Sequence, residues 1–502
     1  MRYENLGRAM HDITSFIVNP PHVRNIFTNR TLNMQSIKLL GYDMDYTLIN
    51  YHVKHLEEMA YEHLKGKLLE LGWPIENLHY DPIMMIRGLV IDKKLGNIVK
   101  PNRFGYVKRA YHGTSSQDYK EMRKTYSRTL VDIREDRWIL LTTLFDLSVG
   151  CLYAQLVDKL DSGEFPEVWG YANLQEKISR RLDLSYAKGL LKDKILKDPE
   201  TYVVEDSETP LALLDQKYAG KILVLITDSG WGYVKDIMAY VFDRHLPDGM
   251  NWRDLFDMII VSAGKPNFFL QKQPAFEVVN EEGLLKPEVE SLKRDRIYVG
   301  GHAGMVEEAF GMDGSEIMYV GDHIESDVHA SKSMLRWRTA LVLPELEEEL
   351  ACLNEFRTDQ AELFNMMKEK VKLENDMIQI QIFSQRATFG YGPQLDMSIS
   401  AFNEKIGELS EKISALDKRI KPLAINAWKI FNPHWGLITR AGWDKSYLSR
   451  LLEGHADIYM SRVSNFLYRT PFAYLRSTRS SLPHDYDLIE GPRRGELTID
   501  GF

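Results

Sequence analysis

The chain has 502 residues, 44% hydrophobic and 27% charged, with a formal net charge of −9, an ordinary globular composition long enough for two to four domains or one core with large insertions. With no basic stripe, that acidic balance excludes a duplex nucleic-acid binder but leaves room for a local pocket that takes a small anion. Two widely separated cysteines, a charged N-terminal MRYENLGRAMHDI with no apolar core, and no apolar run near the roughly 20 residues of a membrane span point to a soluble cytoplasmic protein without a disulfide framework.

Residues 1–35 read as an irregular arm in which Asn19-Pro20-Pro21 stops any helix. The stretch Ser36–Tyr51, SIKLLGYDMDYTLINY, follows. It predicts a short buried strand, Ile37–Leu40, that stops at Gly41 and carries Asp43 and Asp45 at its tip. In an extended segment, acids two residues apart point the same way. Such a pair repels itself unless a cation or a shared proton relieves it, and Mg²⁺ suits oxygen ligands.

A helix over His52–Leu71 places Leu56, Met59, Leu64 and Leu68 on one side. His52 and His55 lack a third ligand and read as partly exposed helical histidines. From Gly72 to about Gln216 the pattern is mixed. The run MIRGLVIDKKLGNIVKPNRFGYVKRAYHG predicts two or three antiparallel strands, and helices are expected near 117–128, 144–160 and 173–196. This block reads as a domain inserted into the core.

KILVLITDSG, 221–230, restarts the pattern of apolar strand and polar turn, with Thr227, Asp228 and Ser229 at the tip. FDMIIVSAGKPNFF repeats it with a strand at 256–262 and then Lys265. EIMYVGDHIESD repeats it again with a strand at 316–320 and then Asp322, and WRTALVLP supplies a last strand before Pro344. Strands alternating with helices argue for a parallel sheet, and chemistry collects at the carboxyl ends of its strands.

A long helix over 345–385, a Gly/Pro break at 390–393 and a second helix over 398–421 read as a hairpin. Phe402, Ile406, Leu409, Ile413 and Leu416 recur at heptad-like spacing, which suits either packing on the protein's own core or an oligomer contact. Residues 425–480 are aromatic-rich and are expected to fold back onto the core, with a loose tail from Pro483. The blocks are therefore 1–51 (arm and first core strand), 52–216 (inserted cap), 217–344 (rest of the core), 345–422 (hairpin) and 423–502 (C-terminal segment).

Together, DMDYT at 43–47, TDS at 227–229, Lys265 in AGKPNFF and GDHIESD at 321–327 resemble the four motifs of the haloacid dehalogenase superfamily of phosphohydrolases. With FTNRTLNM at 27–34, WRTALVLPEL and TPFAYLRS at 470–477, nearly the whole chain is similar to the cytosolic purine 5′-nucleotidase family, specific for IMP and GMP. The resemblance implies an α/β fold: a doubly wound parallel sheet with a large inserted α+β cap and a C-terminal helical hairpin. It implies Asp43 as nucleophile, Asp45 as general acid and then base, and Thr227, Asp228, Ser229 and Lys265 around the phosphate. Mg²⁺ would rest on Asp43, the Asp45 backbone carbonyl and Asp322, with Asp327 orienting Lys265 or a metal-bound water.

Carried over from the family, the base-reading positions fall on Phe145, Asp146, Asp183, Tyr186 and Lys192. The chain departs from the pattern in reading TDS for TNS, Ser179 for an arginine and Tyr186 for a histidine. The implied activity is Mg²⁺-dependent hydrolysis of IMP and GMP through an aspartyl phosphate, extending to phosphotransfer to a nucleoside, by a homo-oligomer (dimer or tetramer). The alternatives are a phosphatase of another small phosphorylated metabolite, and a non-catalytic scaffold that uses the hairpin. Five intact motif residues, Asp43, Asp45, Thr227, Lys265 and Asp322, count against the scaffold.

Overall fold

Seven short apolar segments form the parallel heart of one sheet: β1 (Leu39–Tyr42), β2 (Ile222–Ile226), β3 (Met258–Val261), β4 (Arg296–Gly300), β5 (Ile317–Gly321), β6 (Arg338–Val342) and β7 (Ile458–Met460). The computed structural model describes residues 21–165, 168–187, 190–393, 395–469 and 471–478, and the side chains of 181–190 and 288 also lie outside the described residues. The strand order is β7-β6-β5-β1-β2-β3-β4, with every neighbouring pair parallel. Every residue of β1, β3 and β5 is buried, as expected of strands covered on both faces. Antiparallel strands finish the sheet, Phe27–Thr28 beside β7 and the pair Ala275–Val278 and Leu285–Val289 beside β4.

The central strand differs from its sequence reading. It runs on to Tyr42, so Gly41 lies inside it, opposite Tyr319 of β5 and Val224 of β2. A Cβ at position 41 would come within 2.9 Å of the Tyr319 ring. The glycine thus makes room for an aromatic ring and does not end the strand. β7 is likewise additional: three residues are too few to declare a period, and only pairing with β6 and Phe27–Thr28 makes them a strand.

The long segment between β1 and β2 leaves and returns at one place. His52 N–H donates to Tyr202 O and Val204 N–H to Asn50 O, both at 2.8 Å. Within it lie α1 (Val53–Leu69), α2 (Leu147–Asp161), α3 (Tyr171–Ala187) and α4 (Leu190–Lys197). The two or three antiparallel strands expected in the MIRG to YHG run are three, Val90–Asp92, Asn97–Pro101 and Val107–His112, and two strands outside that run complete a sheet in the order Ser115–Ser116, Val107–His112, Asn97–Pro101, Val90–Asp92 and Trp138–Leu140. α1 exists because Leu56, Met59, Ala60, Leu64 and Leu68 fall on one buried face. α5 (Trp231–Phe242) follows β2 and covers the sheet with Val234, Ile237, Met238 and Val241.

Beyond the sheet, the predicted helix 345–385 is divided at Phe356 into Glu345–Glu355 and α6 (Arg357–Phe389), and α7 (Ile399–Lys429) returns beside it. Phe402, Leu409 and Leu416 are buried, and Leu416 packs with Ile420, Leu363 and Met366. Leu416 therefore serves the seam within the hairpin. The following segment ties the insertion to the core: Trp435 Nε1–H donates to Met84 O at 2.7 Å, and Lys100 Nζ donates to Trp435 O and Leu437 O at 2.5 Å each. The tail expected from Pro483, and the first 20 residues of the arm, lie outside the described residues.

Candidate active site

Asp43 is the first residue past β1, and its N–H donates to Val320 O at 2.9 Å. The parallel register brings the ends of β2, β3 and β5 beside it, so residues nearly three hundred positions apart converge. Lys265 Nζ lies 2.8 Å from Asp43 Oδ2 and 2.8 Å from Asp327 Oδ1. It also donates to Tyr319 Oη at 3.2 Å, and Tyr319 in turn donates to Ile226 O at 2.8 Å. One carboxylate oxygen from each of Asp43, Asp322 and Asp327 falls within 4.8 Å of the others.

Fully ionised, three carboxylates and one ammonium would leave two negative charges in a buried space. Burial pushes the Asp43 carboxyl well above its usual range; Lys265 opposes that, while Asp327 and Asp322 add to it. Burial lifts Asp322 to about 7 against the pull of Arg87. Lys265 is also disfavoured by burial, but Asp327 and Asp43 outweigh the cost and hold it firmly charged. Asp322 Oδ2 is buried without a hydrogen-bond partner. A residual charge of two and an orphaned carboxylate oxygen fit a small divalent cation with oxygen ligands.

Close packing fixes this cluster. Asp327 sits on a π-helical turn, Ile324–His329, and its Oδ2 accepts from His323 N–H at 3.1 Å. A Cβ on Gly321 would lie 2.3 Å from that same oxygen, so only glycine admits the carboxylate. Arg87, from the insertion, donates to Asp322 O at 3.0 Å and forms a two-pronged pair with Glu345 at 2.8 Å per contact.

Asp45 faces elsewhere. Its Oδ1 accepts from Tyr51 Oη, and its Oδ2 accepts from Ser229 Oγ at 2.5 Å. Lys192 Nζ donates to Ser229 Oγ at 2.5 Å and lies 3.8 Å from Asp45 Oδ2. Asp43 and Asp45 lie past the end of the strand, so the alternation expected of an extended segment does not govern them. The N–H groups of Thr47, Leu48 and Ile49 all turn back to Met44 O, and Tyr46 takes a φ of 54°. Next to Asp45 is a cavity of about 220 Å³, walled by Leu56, Ala60, Leu191 and Ile195 and by the rings of Tyr51, Phe145 and Tyr233. Phe145 meets Tyr46 edge to face, with ring centroids 4.7 Å apart.

A profile of the 5′ nucleotidase family matches residues 26–487. The chain belongs to the 5′ nucleotidase family. It is 28% identical over 514 residues to 5′-nucleotidase domain-containing protein 2 of Rattus norvegicus, covering 97% of this chain and 85% of that one. It is 27% identical over 482 residues to a 5′-nucleotidase domain-containing protein of Dictyostelium discoideum, covering 93% and 75%. Among solved structures, an archaeal beta-phosphoglucomutase from Pyrococcus aligns with a TM-score of 0.31 at 11% identity, over 62% of this chain and 89% of that chain. A predicted phosphoglycolate phosphatase from Haemophilus somnus aligns with a TM-score of 0.26 at 13% identity, over 61% and 85%. As a family member, this nucleotidase is a phosphoric monoester hydrolase.

The remaining residues singled out in the sequence fall as follows. In this nucleotidase Thr227 Oγ1 accepts from Ser229 N–H at 3.2 Å. Asp228 Oδ1 accepts from Lys265 N–H at 2.8 Å, so its carboxylate braces the lysine loop. Asp146 Oδ2 accepts from the N–H groups of Thr142 and Thr143 at 2.7 and 2.9 Å, so one oxygen of this expected base reader caps its own turn. The side chains of Asp183 and Tyr186, on α3, lie outside the described residues. Sequence reasoning missed Arg87, Tyr51, Tyr233 and Tyr319. Tyr51 and Tyr319 stood inside stretches singled out in the sequence, SIKLLGYDMDYTLINY and EIMYVGDHIESD, though no pattern marked them. Arg87 and Tyr233 reach the site through folding alone.

Proposed function

We propose that this nucleotidase hydrolyses purine 5′-monophosphates, IMP and GMP, with Mg²⁺ and through an aspartyl phosphate on Asp43. The observation that carries the reading is the buried cluster itself, a carboxylate held 2.8 Å from a lysine among acids that leave one oxygen unpartnered. Asp43, the Asp45 backbone carbonyl and Asp322 would hold the metal; when bound, it offsets the negative charge of the phosphoryl group.

Asp43 attacks phosphorus as the bond to the ribose oxygen breaks, and Asp45 gives that oxygen a proton. Asp45 then takes a proton from the water that releases phosphate and restores Asp43. A nucleoside hydroxyl in place of that water gives phosphotransfer. Lys265, Thr227 and the N–H groups near Ser229 bind the phosphate oxygens. Phe145 stacks on the base and Lys192 secures Ser229 and Asp45 beside the ribose, while the role of Asp183 as acceptor for the base N–H groups rests on the family resemblance alone. Cytoplasmic location and a homo-oligomeric state belong to the same proposal and rest on the resemblance.

The test is phosphate release from IMP, GMP, AMP, CMP and an aryl phosphate, with Mg²⁺ and after chelation. The proposal expects metal-dependent release that is fastest from IMP and GMP. Release from the aryl phosphate alone keeps the chemistry and removes the purine site. No release from any of them, by folded protein, favours the scaffold.

A further inference from the structure

We propose that Tyr51, braced by Tyr233, is a positioning residue that holds Asp45 for proton transfer to the leaving oxygen; this rests on the reading of Asp45 as the proton donor. The carboxylate is held on both sides, by Tyr51 Oη on Oδ1 and by Ser229 Oγ on Oδ2 at 2.5 Å. Tyr51 is 4% exposed, and its hydroxyl lies 3.0 Å from that of Tyr233, which is 8% exposed. The two phenols come from separate elements, one from the loop after β1 and the other from the first turn of α5. Both line the cavity beside Asp45, whose wall is mostly apolar, with Leu56, Ala60, Leu191 and Ile195, and also carries Lys192, Asp228 and Ser229.

In such a wall a lone hydroxyl is costly, and these two are satisfied by the acid and by each other. A carboxylate with one oxygen fixed by Tyr51 cannot rotate freely, so its other oxygen stays turned toward Ser229. During the first step the proton passes from Asp45 to the ester oxygen as the phosphorus–oxygen bond breaks, and Tyr51 keeps its own proton. The pair therefore contributes orientation alone, which matters only where the leaving group needs a proton.

The experiment compares kcat/KM for two leaving groups, since that ratio reports the steps up to phosphoryl transfer. One substrate is the best alkyl phosphate among IMP, GMP, AMP and ribose 5-phosphate; the other is p-nitrophenyl phosphate, whose phenolate departs unprotonated. Tyr51→Phe is expected to lower the alkyl value about tenfold or more and the aryl value by less than about threefold. Tyr233→Phe should show the same selectivity with a smaller loss, and it carries the test if thermal melting shows Tyr51→Phe unfolded. An equal loss on both substrates, or none on the alkyl phosphate, overturns the proposal. The nucleophile reading fails separately, through an Asp43→Asn variant that keeps its turnover. A folded wild type that leaves every alkyl phosphate intact overturns both.

Discussion

The two acids of the first motif are two residues apart and live in opposite surroundings. Asp43 lies among charges, with Lys265, Asp322 and Asp327, on a floor set by strand register. Asp45 lies among hydroxyls, between Tyr51 and Ser229, at the edge of an apolar cavity built largely from the insertion. The contrast separates two tasks. A charged, rigid floor suits a phosphoryl group whose charge and shape are constant among monoesters. A cavity whose wall comes from helices suits the half of a substrate that differs between them.

Four changes break or sharpen that contrast. Asp43→Asn should have the largest effect, lowering phosphate release roughly 10³-fold or more on every substrate, because it strikes the side that all monoesters share. Gly321→Ala comes next. Its methyl would meet Asp327 2.3 Å away, displacing the partner of Lys265, and turnover should fall about 100-fold together with the melting temperature. Phe145→Ala acts on the other side, and KM for purine monophosphates should rise roughly tenfold while p-nitrophenyl phosphate is little affected.

The smallest effect concerns Glu57, on α1 behind the cavity. It is fully buried, with Oε2 accepting from Ser148 N–H at 2.8 Å and Oε1 unpartnered. Burial lifts its carboxyl to about 8 against that hydrogen bond, so the folded chain holds a proton that the unfolded chain has lost. Stability from this group is therefore complete at low pH and declines as pH rises toward about 8. Glu57→Gln should match the wild type near pH 5 and melt roughly 2–4 °C higher at pH 8.5, as followed by thermal denaturation. Equal melting curves at both pH values would assign the buried charge no role in stability.

Legibility followed the range of the interactions. The apolar strands and the tip residues Asp43, Thr227, Lys265 and Asp322 could be read because a buried strand and the turn after it are contiguous in sequence. The hairpin was legible as two long helices, and the use of Leu416 within it became clear only when Leu363 and Met366 were found against the same seam. The cap that Asp146 Oδ2 forms on its own turn was not legible, because a carboxylate near a phenylalanine looks the same in sequence whether or not it caps a turn.

The sequence by itself determined an α/β chain with acids at its strand tips, because burial pattern and turn chemistry are local properties, and the phosphohydrolase reading came from the resemblance of those tips to a known set of motifs. Only the tertiary structure decided that Asp43 and Asp45 part ways, that Gly41 yields space to Tyr319, and that Arg87 and Tyr51 serve the site. These depend on which atoms meet across strands and across the insertion. Such meetings are set by register and close packing, and no one-dimensional pattern encodes them.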